Sequence, residues 1–147
     1  GKGLLAAYLA QHFFGVAHDA IYLAVFFAVV GHIWPVFHGF RGGKGAATLA
    51  GGLILAWPQA LLVLIMIWLL CLMISGYVGL STVIAAISLN LSAYLFHADW
   101  TRWQFAIACS ILLTYSHRSN LQRVWYGNEN RFEKARIIGR LFSPKRG

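Results

Sequence analysis

Residues 46–74 read AATLAGGLILAWPQALLVLIMIWLLCLMI and contain no Lys, Arg, Asp or Glu. Uncharged apolar runs of about 18 residues or more are typical of membrane spans. Two further runs, at 77–96 and 103–115, also lack charged residues. Of the 147 residues in the chain, 59% are hydrophobic and 11% are charged. A soluble domain of this size could not bury so much apolar surface, so the sequence predicts an all-α integral membrane protein.

The number of spans has two interpretations. Four spans would cover 4–30, 46–74, 77–96 and 103–115, whereas six result if the two longest runs are each hairpins. The breaks would then fall near residues 15–19 and at Trp57-Pro58. Asp19 is costly at the centre of a lipid-facing helix but not at an interface, and Pro58 suits the first turn of a helix. We therefore expect about six transmembrane helices, some only partly inserted, because a segment of about 12 residues reaches only ~18 Å of the ~30 Å hydrocarbon core.

The positive charge also favours six crossings. The formal net charge is +8, and six crossings place every Lys and Arg except Arg102 on one side. Loops rich in Lys and Arg are usually cytoplasmic, so we expect the basic loops and the C-terminus in the cytoplasm. The charge is assigned to anionic lipid head groups and anionic substrates rather than to nucleic acid. The expected organisation is a membrane-embedded domain at 1–130 and a basic cytoplasmic tail at 131–147.

A glycine-rich loop between the predicted second and third spans is a candidate phosphate site. Its glycines and cations are Gly39, Arg41, Gly42, Gly43, Lys44 and Gly45. Glycines allow close backbone approach to a ligand, and the start of the following helix favours an anion. The loop is not a nucleotide-binding P-loop, because Lys44 is followed by Gly45 instead of Ser or Thr. The alternative is a flexible loop whose charges only set topology.

A second polar stretch, at 117–129, follows the last predicted span. If the helix continues, His117, Asn120 and Arg123 share one face at the membrane interface. A histidine, an amide and an arginine on one face can accept a proton, orient a hydroxyl and neutralise a phosphate. The alternative is an amphipathic interfacial helix anchored by Trp125 and Tyr126. Both can hold together.

No metal site or cofactor is predicted. The other histidines near span ends lack a carboxylate or cysteine partner at metal-ligand spacing. Cys71 and Cys109 lie inside predicted spans, where cysteines usually act as small buried hydrophobes.

The two polar stretches resemble motifs of the bacterial acyl-phosphate:glycerol-3-phosphate acyltransferases, the PlsY family. One runs Gly31-His-x-x-Pro35-Val-Phe through Arg41-Gly-Gly-Lys44-Gly-Ala-Ala-Thr48, and the other runs His117-Arg-x-Asn120-Leu-x-Arg123 through Gly127-x-Glu129. The resemblance covers roughly residues 1–130 and implies a multi-pass protein of the bacterial inner membrane. It implies transfer of a fatty acyl group from acyl phosphate to glycerol 3-phosphate, giving lysophosphatidate and inorganic phosphate.

The resemblance also implies roles for individual residues. Substrate phosphate would bind at the glycine-rich motif, and His117 and Asn120 would be important for activity, with Glu129 more structural. Together with the chemistry of the residues, the expected catalytic set is Lys44, His117 and Asn120. The expected substrate-binding residues are His32, Arg41, Gly42, Gly43, Lys44, Gly45, Thr48 and Arg123. The base is left open between His117 and a phosphate oxygen of a substrate.

Two further features of the sequence bear on this interpretation. No histidine is followed by Asp five residues later, as it is in the acyltransferases that use acyl-CoA or acyl carrier protein. The PlsY family also has an upstream Gly-Ser-x-Asn-x-Gly-Ala-Thr-Asn-x-x-Arg motif that this sequence lacks, so we expect the chain to be amino-terminally incomplete. The rival function is a membrane protein that binds or transports small phosphates without acyl chemistry.

Overall fold

The computed structural model describes residues 1–14, 18–36, 39 and 42–132, with the side chain of His18 excepted. Within these ranges the chain is helical and has no strand. The helices are α1 (Lys2–Phe14), α2 (His18–Ile33), α3 (Ala46–Ala56), α4 (Pro58–Ser75), α5 (Val78–Leu95), α6 (Trp100–Ser116) and α7 (Arg118–Trp125). Arg41 and residues 133–147 lie outside the described residues, and with them most of the predicted tail.

Both predicted breaks are confirmed. The first apolar run divides between Phe14 and His18, and the second divides at Trp57. Pro58 occupies the first turn of α4, where its missing N–H needs no partner. The six segments expected from the sequence therefore correspond to α1 through α6.

The surface of the helices is strongly apolar. Of the described helices, α4 and α5 are long and apolar enough to cross a membrane, and α3 and most of α2 are shorter apolar helices. Large side chains such as Phe13, Leu62 and Met66 are 64–73% exposed. Because water would penalise so many exposed hydrophobic side chains, this surface suits contact with lipid.

Close packing among α1, α2 and α3 depends on glycine. A Cβ on Gly3 would lie 1.8 Å from the carbonyl oxygen of Thr48, and one on Gly52 would lie 2.4 Å from Cγ1 of Val25. Small residues that let helix backbones approach are typical of membrane helix interfaces. These contacts fix α3, and with it the loop that carries Lys44, against the first two helices.

The two ends of the bundle have different chemistry. At one end, which we call the Arg102 end, Tyr22 donates a hydrogen bond to the carbonyl oxygen of Ala56 at 2.8 Å. Arg102 donates to the Tyr22 hydroxyl at 2.8 Å and lies 3.6 Å from Asp99. The opposite end, the Lys44 end, carries the loop before α3, the turn between α4 and α5, and the segment after α6. Within the described residues, this arrangement agrees with the predicted separation of Lys44 and the segment after α6 from Asp99.

Candidate active site

The loop before α3 folds back on the end of α2. The N–H groups of Gly42 and Gly43 donate to the carbonyl oxygens of Ile33 and His32, at 3.2 and 3.1 Å. A Cβ on Gly42 would lie 2.0 Å from the His32 oxygen, and one on Gly43 would lie 2.3 Å from Nε2 of His32. The backbone contact with α2 therefore requires glycine at position 42, whereas a side chain at position 43 would displace the His32 ring.

This geometry changes the predicted role of the loop amides. The sequence suggested that the glycines let the backbone approach a bound phosphate closely, whereas the N–H groups of Gly42 and Gly43 are already bonded to α2. The N–H groups of the first turn of α3 have no carbonyl partner within that helix, as at any helix start. Gly45 begins this turn with φ of +84°, a conformation that favours glycine. The helix start and the Lys44 side chain thus remain as the anion-binding features of the described loop.

Lys44 joins the two polar stretches of the sequence. Its Nζ donates a hydrogen bond to Oδ1 of Asn120, 76 residues further along the chain. The Ser116 hydroxyl donates to the backbone carbonyl of Lys44 at 2.9 Å, so the end of α6 holds the main chain of Lys44 while α7 holds its side chain. The residues that the sequence marked in separate loops form one site.

The orientation of the Asn120 amide is set by Glu129. Nδ2 of Asn120 donates to Oε1 of Glu129 at 2.6 Å, which leaves Oδ1 facing Lys44. Nε of Arg123 donates to the other carboxylate oxygen at 2.5 Å. Partial burial of Glu129 would raise its pKa, but the hydrogen bonds from Arg123 and Asn120 and the charges of Arg123 and Lys44 hold the pKa below its ordinary value. The carboxylate therefore stays charged and keeps the amide in this orientation.

Helix α7 and the segment after it pack onto the start of α5 and the turn before it. A Cβ on Gly79, at the start of α5, would lie 2.6 Å from Cβ of Asn120. The N–H of Phe132 donates to the carbonyl of Gly76 at 2.8 Å, and Nε of Arg131 donates to the Tyr77 hydroxyl at 2.6 Å. These contacts hold the 127–132 segment, and therefore Glu129, over the site.

His117 lies between α6 and α7 and is only 5% exposed. Its Nδ1 lies 2.8 Å from the carbonyl oxygen of Leu113. Because a carbonyl can only accept, Nδ1 carries the hydrogen in the neutral ring and Nε2 is the nitrogen able to take a proton. Burial lowers the pKa of His117 and the positive charge of Lys44 lowers it further, while the Leu113 carbonyl partly opposes them. The ring is thus kept neutral, as a proton acceptor must be.

A polar cleft of about 560 Å³ opens beside Lys44. Its walls come from the end of α2, the glycine-rich loop and the α6–α7 junction. They include Trp34, Gly42, Gly43, Lys44, Ser116, Arg118, Ser119 and Gln122. The guanidinium of Arg118 stacks on the Tyr115 ring at 4.2 Å and donates to the Tyr115 carbonyl, so it is a fixed second cation in the cleft.

An apolar cavity of about 340 Å³ lies on the other side of the start of α3. It passes between α3, α4 and α5. Its lining includes Ala46, Ala47, Ala50, Leu64, Ile65, Trp68, Val78, Thr82, Ala86 and Leu113. Ala46 and Ala47 follow Lys44 closely in the chain, and the carbonyl of Leu113 holds His117. A polar cleft and an apolar cavity therefore flank the same few residues.

The structure brings together some of the predicted residues and separates others. Lys44, Asn120 and Glu129 are linked directly, and Arg123 reaches them through Glu129. Thr48 is buried, with its backbone carbonyl facing α1 instead of the cleft. The predicted helix does not continue unbroken through His117, since α6 ends at Ser116 and the His117 ring turns back to Leu113.

Sequence reasoning missed three contributors, Ser116, Arg118 and Gly79. Arg118 is the next residue after His117, so its charge was a signal that a search for cleft cations would have found. Nothing local marks Ser116 or Gly79, because their roles depend on contacts with distant segments. Among the described residues, no three His, Cys, Asp or Glu side chains are grouped as metal ligands.

Comparison with known proteins identifies the family. A family model described as glycerol-3-phosphate acyltransferase matches residues 1–127. The chain belongs to the glycerol-3-phosphate acyltransferase family. The glycerol-3-phosphate acyltransferase of Neisseria meningitidis is 39% identical over an alignment of 139 positions that covers 92% of this chain and 69% of that protein. The one from Carboxydothermus hydrogenoformans is 35% identical over 131 residues, 89% of this chain and 66% of that protein.

Solved glycerol-3-phosphate acyltransferases share the fold. The glycerol 3-phosphate form of PlsY, an integral membrane glycerol 3-phosphate acyltransferase, superposes with a TM-score of 0.82 at 32% identity, covering 96% of this chain and 69% of that one. The lysophosphatidic acid form of PlsY gives the same TM-score and covers 70% of that chain.

The comparisons confirm the predicted family and the all-α integral membrane fold. The chain spans about two thirds of the length of curated relatives such as the Carboxydothermus acyltransferase, where the share is 66%.

Proposed function

We propose that this chain carries the acceptor and phosphate-handling part of an acyltransferase that moves a fatty acyl group from acyl phosphate to glycerol 3-phosphate. The observation that carries the proposal is the hydrogen bond between Lys44 and Asn120, placed between a polar cleft and an apolar cavity. The product, lysophosphatidate, has a phosphate at one end and a long apolar chain at the other. A site that joins the two environments at a fixed cation suits such a molecule.

Glycerol 3-phosphate is assigned to the polar cleft. A volume of about 560 Å³ is ample for this small anion, and the wall supplies the cations Lys44 and Arg118. Opposite charges in a partly enclosed cleft raise the local concentration of an anionic substrate. Gly43 lines the wall beside Lys44 and packs against the His32 side chain, whereas Gly45 precedes the first turn of α3. Arg123 donates a hydrogen bond to Glu129, so its contribution to substrate binding is indirect.

The acyl phosphate is assigned to the boundary between the two spaces. Its chain would lie in the apolar cavity and its phosphate near Lys44 and the start of α3, where the helix dipole favours an anion. This substrate is already activated, so the site needs to position two anions and stabilise phosphate as it leaves. No covalent acyl-enzyme is required.

The proposed reaction is a single transfer. The free hydroxyl oxygen of glycerol 3-phosphate bonds to the carbonyl carbon, and the bond between that carbon and the phosphate oxygen breaks. The electron pair leaves with inorganic phosphate, whose charge Lys44 stabilises. The hydroxyl proton passes either to a phosphate oxygen of a substrate or to Nε2 of the buried His117, whose other nitrogen is fixed by Leu113. Asn120 holds Lys44 in place.

The orientation in the membrane follows from the substrates and the charges. Glycerol 3-phosphate is a soluble metabolite, so the Lys44 end is assigned to the cytoplasmic face of the bacterial inner membrane. Lys2, Lys44, Arg118, Arg123 and Arg131 belong to this end, as the positive-inside tendency requires. The basic residues of the 131–147 tail are assigned to contact with anionic lipid head groups on the same face.

The proposal is tested with the full-length protein in lipid nanodiscs. Acyl phosphate and labelled glycerol 3-phosphate should give labelled lysophosphatidate and an equal amount of inorganic phosphate, and acyl-CoA should give none. Replacing Lys44 with Met should lower the rate at least about a hundredfold, as the loss of one charge-stabilising donor does elsewhere. Lys2→Met, at the same end of the bundle, is the matched control and should retain activity.

Two outcomes would reject the proposal. One is product formed only from acyl-CoA. The other is tight binding of glycerol 3-phosphate that depends on Lys44 without any lysophosphatidate, which would identify a protein that binds or transports small phosphates.

A further inference from the structure

The apolar cavity contains one polar contact, between Trp68 of α4 and Thr82 of α5. Nε1 of Trp68 donates to the Thr82 hydroxyl at 3.1 Å. That hydroxyl in turn donates to the carbonyl of Val78 at 2.9 Å. Since the single hydroxyl proton points to Val78, the oxygen is free to accept from the indole, and the two bonds support each other.

These bonds hold the indole ring against the wall of the cavity. Thr82 is 9% exposed and its hydroxyl is also bonded to Val78, whereas turning the half-buried Trp68 ring away would leave the indole N–H without its partner. Unpaired buried polar groups are costly, especially where lipid and not water surrounds the helices. The ring is therefore a rigid, flat surface, unlike the flexible Leu64 and Ile65 side chains that line the cavity further from the turn.

Trp68 lies near the end of the cavity where the reacting end of a bound acyl chain would be. Gly79 touches Asn120, and Thr82 lies three residues further along α5, which is about 4.5 Å along the helix axis. Ala46, Ala47 and Ala50 of α3 contribute small side chains to the same cavity. A chain that enters beside Lys44 therefore passes the Trp68 ring within its first few carbons.

We propose that Trp68, held by Thr82, is a specificity-determining residue that admits straight acyl chains and rejects chains branched near the carboxyl end. This inference rests on the acyltransferase function proposed above. A methyl branch at the first few carbons would meet the fixed indole, whereas a straight chain would lie flat along it. A pocket discriminates one methyl group by about tenfold or more when the wall cannot yield.

The test compares two acyl phosphates of equal length, one straight and one with a methyl branch a few carbons from the carbonyl. The quantity measured for each variant of the full-length protein is the ratio of kcat/KM for the straight chain to kcat/KM for the branched chain. Because this ratio is taken within one preparation, partial loss of folded protein cancels. We expect a wild-type ratio of about ten or more.

Two variants distinguish the effect of the Trp68 ring from that of the Thr82 hydroxyl that holds it. Thr82→Val keeps the side-chain volume but removes the acceptor for the indole, so the ratio should fall several-fold. Trp68→Ala removes the wall, so the ratio should approach one. The matched controls are Thr114→Val, which removes a hydroxyl bonded within α6, and Trp100→Ala, which removes an exposed ring at the Arg102 end. Both controls should keep the wild-type ratio.

Each result has a defined meaning. A wild-type enzyme that makes lysophosphatidate without discriminating the two chains overturns the inference and leaves the acyltransferase function intact. So does an unchanged ratio in Thr82→Val, which decides the question even if Trp68→Ala fails to fold. A wild-type protein that makes no lysophosphatidate from either chain instead rejects the acyltransferase function itself, and the role of Trp68 falls with it.

Discussion

Replacing Glu129 with Gln tests how the site is held in its working geometry. The carboxylate accepts hydrogen bonds from Asn120 at 2.6 Å and from Arg123 at 2.5 Å, and it thereby turns the Asn120 amide so that its oxygen faces Lys44. Gln has nearly the same size but no charge, and its own amide can present either oxygen or nitrogen. The orientation of Asn120 is then no longer fixed by one strong acceptor.

The size of the effect follows from the two contacts. The Arg123 side chain is 48% exposed, so its ion pair contributes only about 1 kcal/mol or less. The Asn120 bond to a charged acceptor that is 11% exposed contributes about 1.5–3 kcal/mol, of which Gln retains a part. A loss of about 2 kcal/mol in transition-state stabilisation lowers kcat/KM for glycerol 3-phosphate about thirtyfold.

The assay is steady-state formation of lysophosphatidate at varied glycerol 3-phosphate and saturating acyl phosphate. Asp19→Asn is the matched control, because it removes one negative charge at the exposed start of α2. It should leave kcat/KM unchanged. Wild-type kcat/KM in Glu129→Gln, or a decrease no larger than the decrease in folded protein, would refute the positioning role.

Three further changes are expected to give measurable effects. Gly79→Ala would place a Cβ 2.6 Å from Cβ of Asn120, so it should lower kcat/KM and cost about 1–3 kcal/mol of stability. Gly31→Ala is the control, because a Cβ there would have no heavy atom within 4 Å, and it should have neither effect. Burial lowers the pKa of His117 below its ordinary 6.5, so the acid limb of the kcat/KM profile should lie below pH 6.5. Stability should also fall with falling pH, because the unfolded chain binds the proton more readily; an acid limb above pH 6.5 contradicts a neutral buried ring. Tyr22→Phe removes a hydroxyl that is bonded to α3 and α6 at the Arg102 end. It should lower the free energy of unfolding by about 1–3 kcal/mol, and with it the thermal midpoint, without changing kcat/KM. Lost activity in fully folded protein would contradict the separation of the two ends.

The sequence predicts the helices of this fold well because their signals are local. The absence of charged residues from 46–74 indicates the apolar segment, and Pro58 indicates the break within it. The position of Asp19 likewise indicates that α1 and α2 are separate helices. The sharing of one end by Lys44 and the segment after His117 follows from counting crossings.

The contacts that build the site depend on packing and could not be predicted in the same way. Nothing in the spacing of Lys44 and Asn120 shows that they meet across 76 residues. The roles of the glycines also changed, since Gly42 and Gly43 fit against α2 and use their N–H groups there. Helical periodicity gave His117 and Asn120 a common face on one continuous helix, whereas α6 ends at Ser116, His117 bonds back to Leu113, and Asn120 bonds to Lys44 and Glu129.

We propose that Lys44 and Asn120 act as one unit, and a double-mutant cycle measures the coupling between them. Lys44→Met, Asn120→Ala and the double variant are compared for kcat/KM in lysophosphatidate formation, with a labelled substrate to follow slow turnover. We predict that the double variant is about as slow as the slower single variant, because removing either partner already breaks the unit. Losses that add to within about 0.5 kcal/mol would show that the two residues act independently, and would contradict the claim.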